Sequence, residues 1–120
     1  MTNAKETLAR ILEVDGSIGG CIVDSDSGMM LASMGGDRFN LEVAAAGNTE
    51  VVRAKRRTME SLNLQGEIED ILITLSTQYH IIRPIAMNSA LFVYLVIDKT
   101  RGNLAMARHT IREAEKKLVL

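Results

Sequence analysis

Apolar residues at the start of the chain recur with the spacing of one face of an α-helix. They fall at i, i+4, i+7 and i+8 and are Ala4, Leu8, Ile11 and Leu12. Asn3 is followed three residues later by Glu6, the arrangement of a capping box with asparagine as the cap. We therefore expect a short amphipathic helix that begins after Asn3 and stops at Asp15-Gly16.

Two short apolar runs follow this helix and are separated by turn residues. The first run covers residues 18–23 and the second covers residues 29–34. The intervening residues 24–28 are aspartate, serine and glycine, which favour a turn. The pattern predicts a β-hairpin with a loop of a few residues.

A long helix is predicted from Asn40, which can serve as its cap, to about Asn63. Its side chains form three faces on a helical wheel, whereas a surface helix normally has two. An apolar stripe suited to packing on a sheet consists of Leu41, Ala45, Val52, Met59 and, at its edge, Leu62. A second stripe of smaller residues consists of Val43, Gly47, Val51, Ala54 and Thr58. The polar side consists of Glu42, Thr49, Arg53, Arg56, Arg57 and Glu60. Two stripes of this kind indicate that the helix has two packing neighbours.

Three strand-like segments come next, and their connections are too short for a crossover helix. They cover residues 68–75, 79–85 and 91–97. Short connections require antiparallel neighbours, so the three segments are expected to form a meander. Pro84 lacks a backbone donor, which predicts an edge contact or a bulge near the end of the middle strand.

A final helix is predicted after residues 100–103. Its apolar face carries Leu104, Ala107, Ile111, Ala114 and Leu118, and its last turn carries Lys116 and Lys117. The predicted order is helix, two strands, long helix, three strands, helix. Five antiparallel strands with helices on both faces bury their apolar residues in a three-layer α/β/α sandwich, an α+β fold.

Composition and charge argue against several classes of function. The 120 residues suit one domain spanning 1–120, and the net charge of −1 lacks the basic excess typical of nucleic-acid-binding proteins. Cys21 is the only cysteine, which excludes an intrachain disulfide and favours a cytoplasmic protein. No apolar stretch approaches the roughly 20 residues that span a bilayer, so neither a targeting segment nor a membrane partner is expected.

No pattern in the chain indicates catalysis, a cofactor or a metal. His80 lies in a predicted strand and His109 on the last helix, without the spacing of a zinc site. Cys21 has apolar neighbours, which favours inert packing over a role as nucleophile. The glycines of residues 16–20 precede a strand, whereas those of a dinucleotide-binding loop follow one. Residues 24–28 lack the later glutamate of a calcium loop and are interpreted as a turn.

Several segments, taken in order, resemble the Roadblock family, which includes dynein light chains and bacterial and archaeal regulators of small Ras-like GTPases. The matching segments are Val14-Asp15-Gly16, Gly19-Gly20, Ile22-Val23-Asp24, Gly28, Ala44-Ala45-Ala46 and residues 71–75, 79–85, 91–97 and 103–108. The last segment looks like the bacterial version, because the dynein light chains end at about the last strand. No single segment is a sharp motif, and the resemblance is carried by order and spacing over nearly the whole chain. It implies a Roadblock or profilin-like sandwich.

The resemblance also implies a homodimer that forms through the long helix and the edge strand after it. The expected interface residues are Val43, Gly47, Val51, Ala54, Thr58, Ile71 and Ile73. Small side chains let two helix backbones approach closely, and an unpaired apolar strand edge is normally covered. The alternative is that the small-residue stripe faces another helix or strand of the same chain.

The function implied by the resemblance is that of a non-catalytic regulator or adaptor that binds a small Ras-like GTPase over the paired helices. Arg53, Arg56 and Arg57, beside Lys55, are the expected partner-binding residues, since arginine is enriched in interfaces. The alternative is a solvated helix face. Other Roadblock-type subunits and a sensor kinase are further expected partners.

A second function class is a small-molecule sensor of PAS-like or profilin-like architecture, because a sheet flanked by helices can hold a ligand. Aromatic residues make up only 3% of the chain and none is Trp, whereas ligand pockets are usually lined by aromatic side chains. A hydrolase would need a convergent nucleophile and base, and the sequence indicates neither.

Overall fold

Helices and strands follow one another in the order that the sequence predicts. A computed structural model of the chain describes residues 1–37 and 40–119. Its elements are α1 (Ala4–Ile11), β1 (Ser17–Asp24), β2 (Met29–Gly35), α2 (Leu41–Ser61), β3 (Ile71–Thr74), β4 (Gln78–Ile85), β5 (Asn88–Asp98) and α3 (Leu104–Glu115).

The strands form one five-stranded sheet in the order β2-β1-β5-β4-β3, and all neighbours are antiparallel. Helices α1 and α3 pack on one face of the sheet, whereas α2 lies over β1 and β2 on the other. The predicted three-layer α/β/α sandwich is therefore confirmed. Strands β2 and β3 are the two edges.

Strand β5 is the centre of the sheet and divides its side chains between two cores. Val93, Leu95 and Ile97 join the core under α1 and α3, and Phe92, Tyr94 and Val96 join the core under α2. A strand buried on both faces shows a continuous apolar run rather than alternation, which explains the buried residues 91–97.

Asparagine side chains cap the N-termini of α1 and α2, as predicted. The Asn3 side chain accepts a hydrogen bond from the Glu6 N–H at 2.8 Å within a complete capping box. Asn40 accepts from the backbone N–H groups of Glu42 at 2.9 Å and Val43 at 3.2 Å. These bonds satisfy donors that the first turn of a helix otherwise leaves unpaired.

Two elements are shorter than the sequence predicts. Strand β3 covers only Ile71–Thr74 rather than residues 68–75, because its partner β4 pairs with these four residues alone. Helix α3 ends at Glu115 with Lys116 as its C-cap, so the prediction that Lys117 lies in the last turn is wrong. The Lys117 carbonyl instead accepts a hydrogen bond from the Thr2 N–H at 2.7 Å.

Pro84 lies where the sequence predicts, at an irregularity of β4. The register between β4 and β5 shifts between Pro84 and Ile85, and the pairing of β4 with β3 stops at Ile82. The missing N–H of Pro84 therefore interrupts no bond to the edge strand.

Two residues that the helical wheel assigns to α2 have a different exposure to solvent from the one predicted. Thr49, predicted on the polar side, is buried, and its hydroxyl donates a hydrogen bond to the Ala45 carbonyl at 2.7 Å. This bond lets a polar residue pack on the sheet without an unsatisfied group. Leu62, predicted at the edge of the apolar stripe, follows the end of the helix and is exposed.

Candidate interaction surface

The small-residue stripe of α2 faces away from the sheet. Its five members, Val43, Gly47, Val51, Ala54 and Thr58, are all exposed. Val43 has 67% of its surface accessible and Val51 has 37%. The interpretation in which this stripe packs against another element of the same chain is therefore wrong for the residues that the structure describes.

Gly47 lies in the middle of this stripe, where the protomer gives no reason for a glycine. A Cβ atom added at Gly47 would meet nothing within 4 Å. Glycine in a helix interior costs about 0.5–1 kcal/mol relative to alanine. The absence of a side chain at Gly47 is therefore not explained by packing among the described residues of the protomer.

The edge strand β3 presents the other residues predicted at the interface. Ile71 and Ile73 are half-buried and pack against the core on the α2 side of the sheet. The outer edge of β3 carries no paired strand, since β4 is its only neighbour in the sheet that the described residues form. The stripe and the β3 residues thus share one side of the protomer, although α2 itself lies over β1 and β2.

The three predicted partner-binding arginines have different environments. Arg53 donates a hydrogen bond from Nη2 to the Asp26 carbonyl at 2.8 Å and pairs with Glu50 at 3.2 Å. Arg56 donates from Nη2 to the Ser89 carbonyl at 2.7 Å. Arg53 and Arg56 therefore hold the ends of two hairpins, and of the three arginines only Arg57 is exposed.

A chain of hydrogen bonds beside β3 was not predicted from the sequence. The Gln78 Oε1 lies 2.9 Å from His80 Nε2, and the Tyr94 hydroxyl lies 2.9 Å from His80 Nδ1. Burial lowers the pKa of His80 and raises the pKa of Tyr94. The spacing of Gln78 and His80 places both on one face of a strand, but the contact with Tyr94 depends on strand register.

Two ion pairs connect α3 to the far edge of the sheet. Arg108 donates two hydrogen bonds to the Asp70 carboxylate, at 2.8 and 3.2 Å. Arg83 Nε lies 3.4 Å from Glu115 Oε2, and both side chains are nearly buried. These pairs fix the position of α3 near the start of β3.

No protein-family model and no curated protein matches the sequence. Solved structures do match. The Roadblock/LC7 domain from Streptomyces avermitilis superposes with a TM-score of 0.82 at 11% identity, covering 96% of this chain and 93% of that chain. MglB of Myxococcus xanthus gives 0.75 at 12% identity, covering 94% and 85%. The gliding protein MglB from Thermus thermophilus gives 0.68 at 15% identity, covering 93% and 87%. This chain has the Roadblock fold.

On this Roadblock fold, Cys21 lies in β1 within the core under α2. Cys21 is fully buried, and burial raises the pKa of its thiol to about 12. Residues 1–37 and 40–119 contain no group of three His, Cys, Asp or Glu placed to hold a metal ion. Within the same ranges, no helix combines the length and apolar character needed to cross a membrane.

Several open grooves lie at the surface of this Roadblock fold. One of about 400 Å³ separates the end of α1 from the start of α3, with Arg10, Asp15 and Arg101 among its lining residues. Another of about 370 Å³ surrounds the Arg108–Asp70 pair. Neither groove is lined by an aromatic side chain, whereas small-molecule sites usually are.

Proposed function

We propose that this chain is a non-catalytic, homodimeric Roadblock-type regulator or adaptor that binds a small Ras-like GTPase in a bacterial or archaeal cytoplasm. The fold supports this proposal, since the Roadblock resemblance implies such regulators. The observation that supports the proposal most directly is the exposed small-residue stripe of α2, which includes Gly47.

Self-association accounts for features that the isolated protomer leaves unexplained. Two α2 helices packed along their small-residue stripes would cover Val43 and Val51, and the open space at Gly47 would admit the partner backbone. Pairing of two β3 edges would satisfy their free backbone groups and extend the sheet. Both changes bury apolar surface, the main favourable term in association.

The proposed GTPase-binding residues are the basic ones on α2. Arg57 and Lys55 are exposed and available for contact. Arg53 and Arg56 would contribute by holding the hairpin turns beside them, because their guanidinium groups already bond to the Asp26 and Ser89 carbonyls. The role proposed for this surface is docking, with no arginine inserted into a catalytic site.

Sedimentation velocity of matched α2 variants tests the dimer. Gly47→Leu places a large side chain in the stripe, and overpacking an interface by about 1–3 kcal/mol weakens self-association by about 5- to 150-fold. Ala46→Leu is the control, since Ala46 is exposed on the same helix but outside the stripe. A wild-type protein that stays monomeric at micromolar concentration, or equal effects of the two variants, would contradict the dimer.

Binding of GTPases tests the partner. Small Ras-like GTPases from the native host, loaded with GDP or a non-hydrolysable GTP analogue, are titrated against the wild type, Arg57→Glu and the double variant Arg53→Glu/Arg57→Glu. We expect both variants to lose affinity, while Lys5→Glu, an equal charge reversal on α1, retains it. Normal binding by Arg57→Glu and the double variant would show that the docking face lies elsewhere.

A further inference from the structure

We propose that His80 makes the self-association of this protein pH-dependent, with tight pairing while its imidazole is neutral and weaker pairing once it is protonated. This inference rests on the proposed homodimer, because it requires a second copy to cover the α2 side of β3. His80 is the residue of β4 directly opposite Ile73 of β3, one of the proposed interface residues.

The hydrogen bonds around His80 suit a neutral ring. In one consistent assignment, Nε2–H donates to Gln78 Oε1, and the Tyr94 hydroxyl donates to Nδ1. Both ring nitrogens of His80 and the Tyr94 hydroxyl then have a partner.

Protonation of the ring disrupts this arrangement. An imidazolium donates from both nitrogens, so Nδ1–H would point at the Tyr94 oxygen and the tyrosine O–H would lose its acceptor. Tyr94, which is 3% exposed, would then have to turn its O–H toward another acceptor. The protonated state therefore keeps the number of bonds but leaves the tyrosine O–H without a partner in a partly desolvated site.

No carboxylate lies within ion-pair distance of the His80 ring among the described residues. The groups that face His80 are Tyr94 and Val96 from β5, Ile73 from β3 and Gln78 from its own strand. The Asp98 carboxylate, opposite Gln78 on the same face of the sheet, accepts hydrogen bonds from Thr100 and lies 3.9 Å from Arg101. Cys21, the titratable neighbour of Tyr94, is a neutral thiol because burial raises its pKa to about 12. Burial, rather than a charged neighbour, lowers the pKa of His80.

Pairing of two copies would desolvate His80 further. His80 is only half-buried in the protomer, and a second copy packed against β3 would remove water from it. The pKa of His80 would then be lower in the dimer than in the protomer, so pairing releases protons when the pH lies near or below that pKa. Affinity therefore falls as the pH drops through the pKa of His80 in the protomer, which burial already holds below the ordinary histidine value of about 6.5. With two copies of His80 per dimer, we expect about a ten-fold weaker dimer at pH 5.5 than at pH 7.5.

Sedimentation equilibrium at pH 7.5 and pH 5.5 tests the inference on the wild type and two variants. The wild type and His109→Gln should both lose about ten-fold in affinity between the two pH values, since His109 is an exposed residue of α3. His80→Gln, which cannot be protonated, should have the same affinity at both. A wild-type dimer that is insensitive to pH, or a His80→Gln dimer that stays sensitive, overturns this inference and leaves the proposed dimer intact. A wild type that is monomeric at every pH overturns both.

Proton NMR provides a second measurement that does not depend on the folding of a His80 variant. The imidazole signals of the wild type are titrated at concentrations ten-fold below and ten-fold above the dissociation constant, with His109→Gln used for assignment. The pKa of His80 should be lower in the concentrated sample than in the dilute one. Equal His80 pKa values in the two samples would overturn the inference.

Discussion

Arg108 of α3 and Asp70, the residue immediately before β3, form an ion pair with two hydrogen bonds of 2.8 and 3.2 Å. The Asp70 side chain is only 16% exposed and that of Arg108 is 36% exposed, so solvent screens this pair less than a fully exposed one. The pair connects the end of the irregular segment after α2 to the helix on the opposite side of the sheet.

We expect Arg108→Ala and Asp70→Ala each to lower the free energy of unfolding by about 1 kcal/mol, the size typical of a charge-assisted bond at a partly buried site. Urea denaturation of both single variants and the double variant gives the coupling energy. Arg112→Ala is the control, because Arg112 is an exposed arginine of the same helix. Strictly additive effects of the two single changes would show that the pair contributes nothing to stability.

Arg56 and Arg57 are adjacent in the sequence and should behave differently. Arg56→Ala removes the hydrogen bond that holds the Ser89 carbonyl, and we expect a loss of about 1 kcal/mol in the free energy of unfolding. Arg57→Ala should change it by less than about 0.5 kcal/mol, as exposed substitutions usually do. Both values come from the same denaturation series, and equal losses would contradict the structural role given to Arg56.

Cys21 should resist alkylation in the folded protein. The thiolate is the reactive form, and a pKa of about 12 leaves about one thiol in ten thousand ionised at pH 8. Mass spectrometry after treatment with iodoacetamide should show unmodified protein in buffer and complete modification in urea. Alkylation in buffer at the rate of an unstructured cysteine peptide would mean that β1 opens readily.

Local sequence signals were sufficient for most of the fold. Asn3 and Asn40 cap helices because their side chains act within three residues, and the apolar run of 91–97 is visible without knowledge of its neighbours. The bounds of β3 were not predictable in the same way. Ile68 and Leu75 continue the apolar pattern, but the pairing of β4 decides which residues of this segment belong to the sheet.

The surface was predicted less completely than the fold. Periodicity identified the stripe of Val43, Gly47 and Val51, and these residues are exposed, while their assignment to a dimer interface stays a prediction. Charge alone grouped Arg56 with Arg57, whereas the long side chain of Arg56 reaches the start of β5, which is distant in sequence, at Ser89. The His80–Tyr94 contact likewise depends on strand register, which a single sequence does not specify.

Thr2 and Leu118 form a parallel bridge, with the Thr2 N–H bonded to the Lys117 carbonyl and the Val119 N–H bonded to the Thr2 carbonyl, each at 2.7 Å. The two segments lie beside α1 and α3, across the sheet from α2. A fluorescent reporter or an immobilisation tag joined to either of these two segments therefore lies on the face of the sheet opposite α2. Protein tethered to a biosensor chip through either of these two segments therefore presents α2 to the solution.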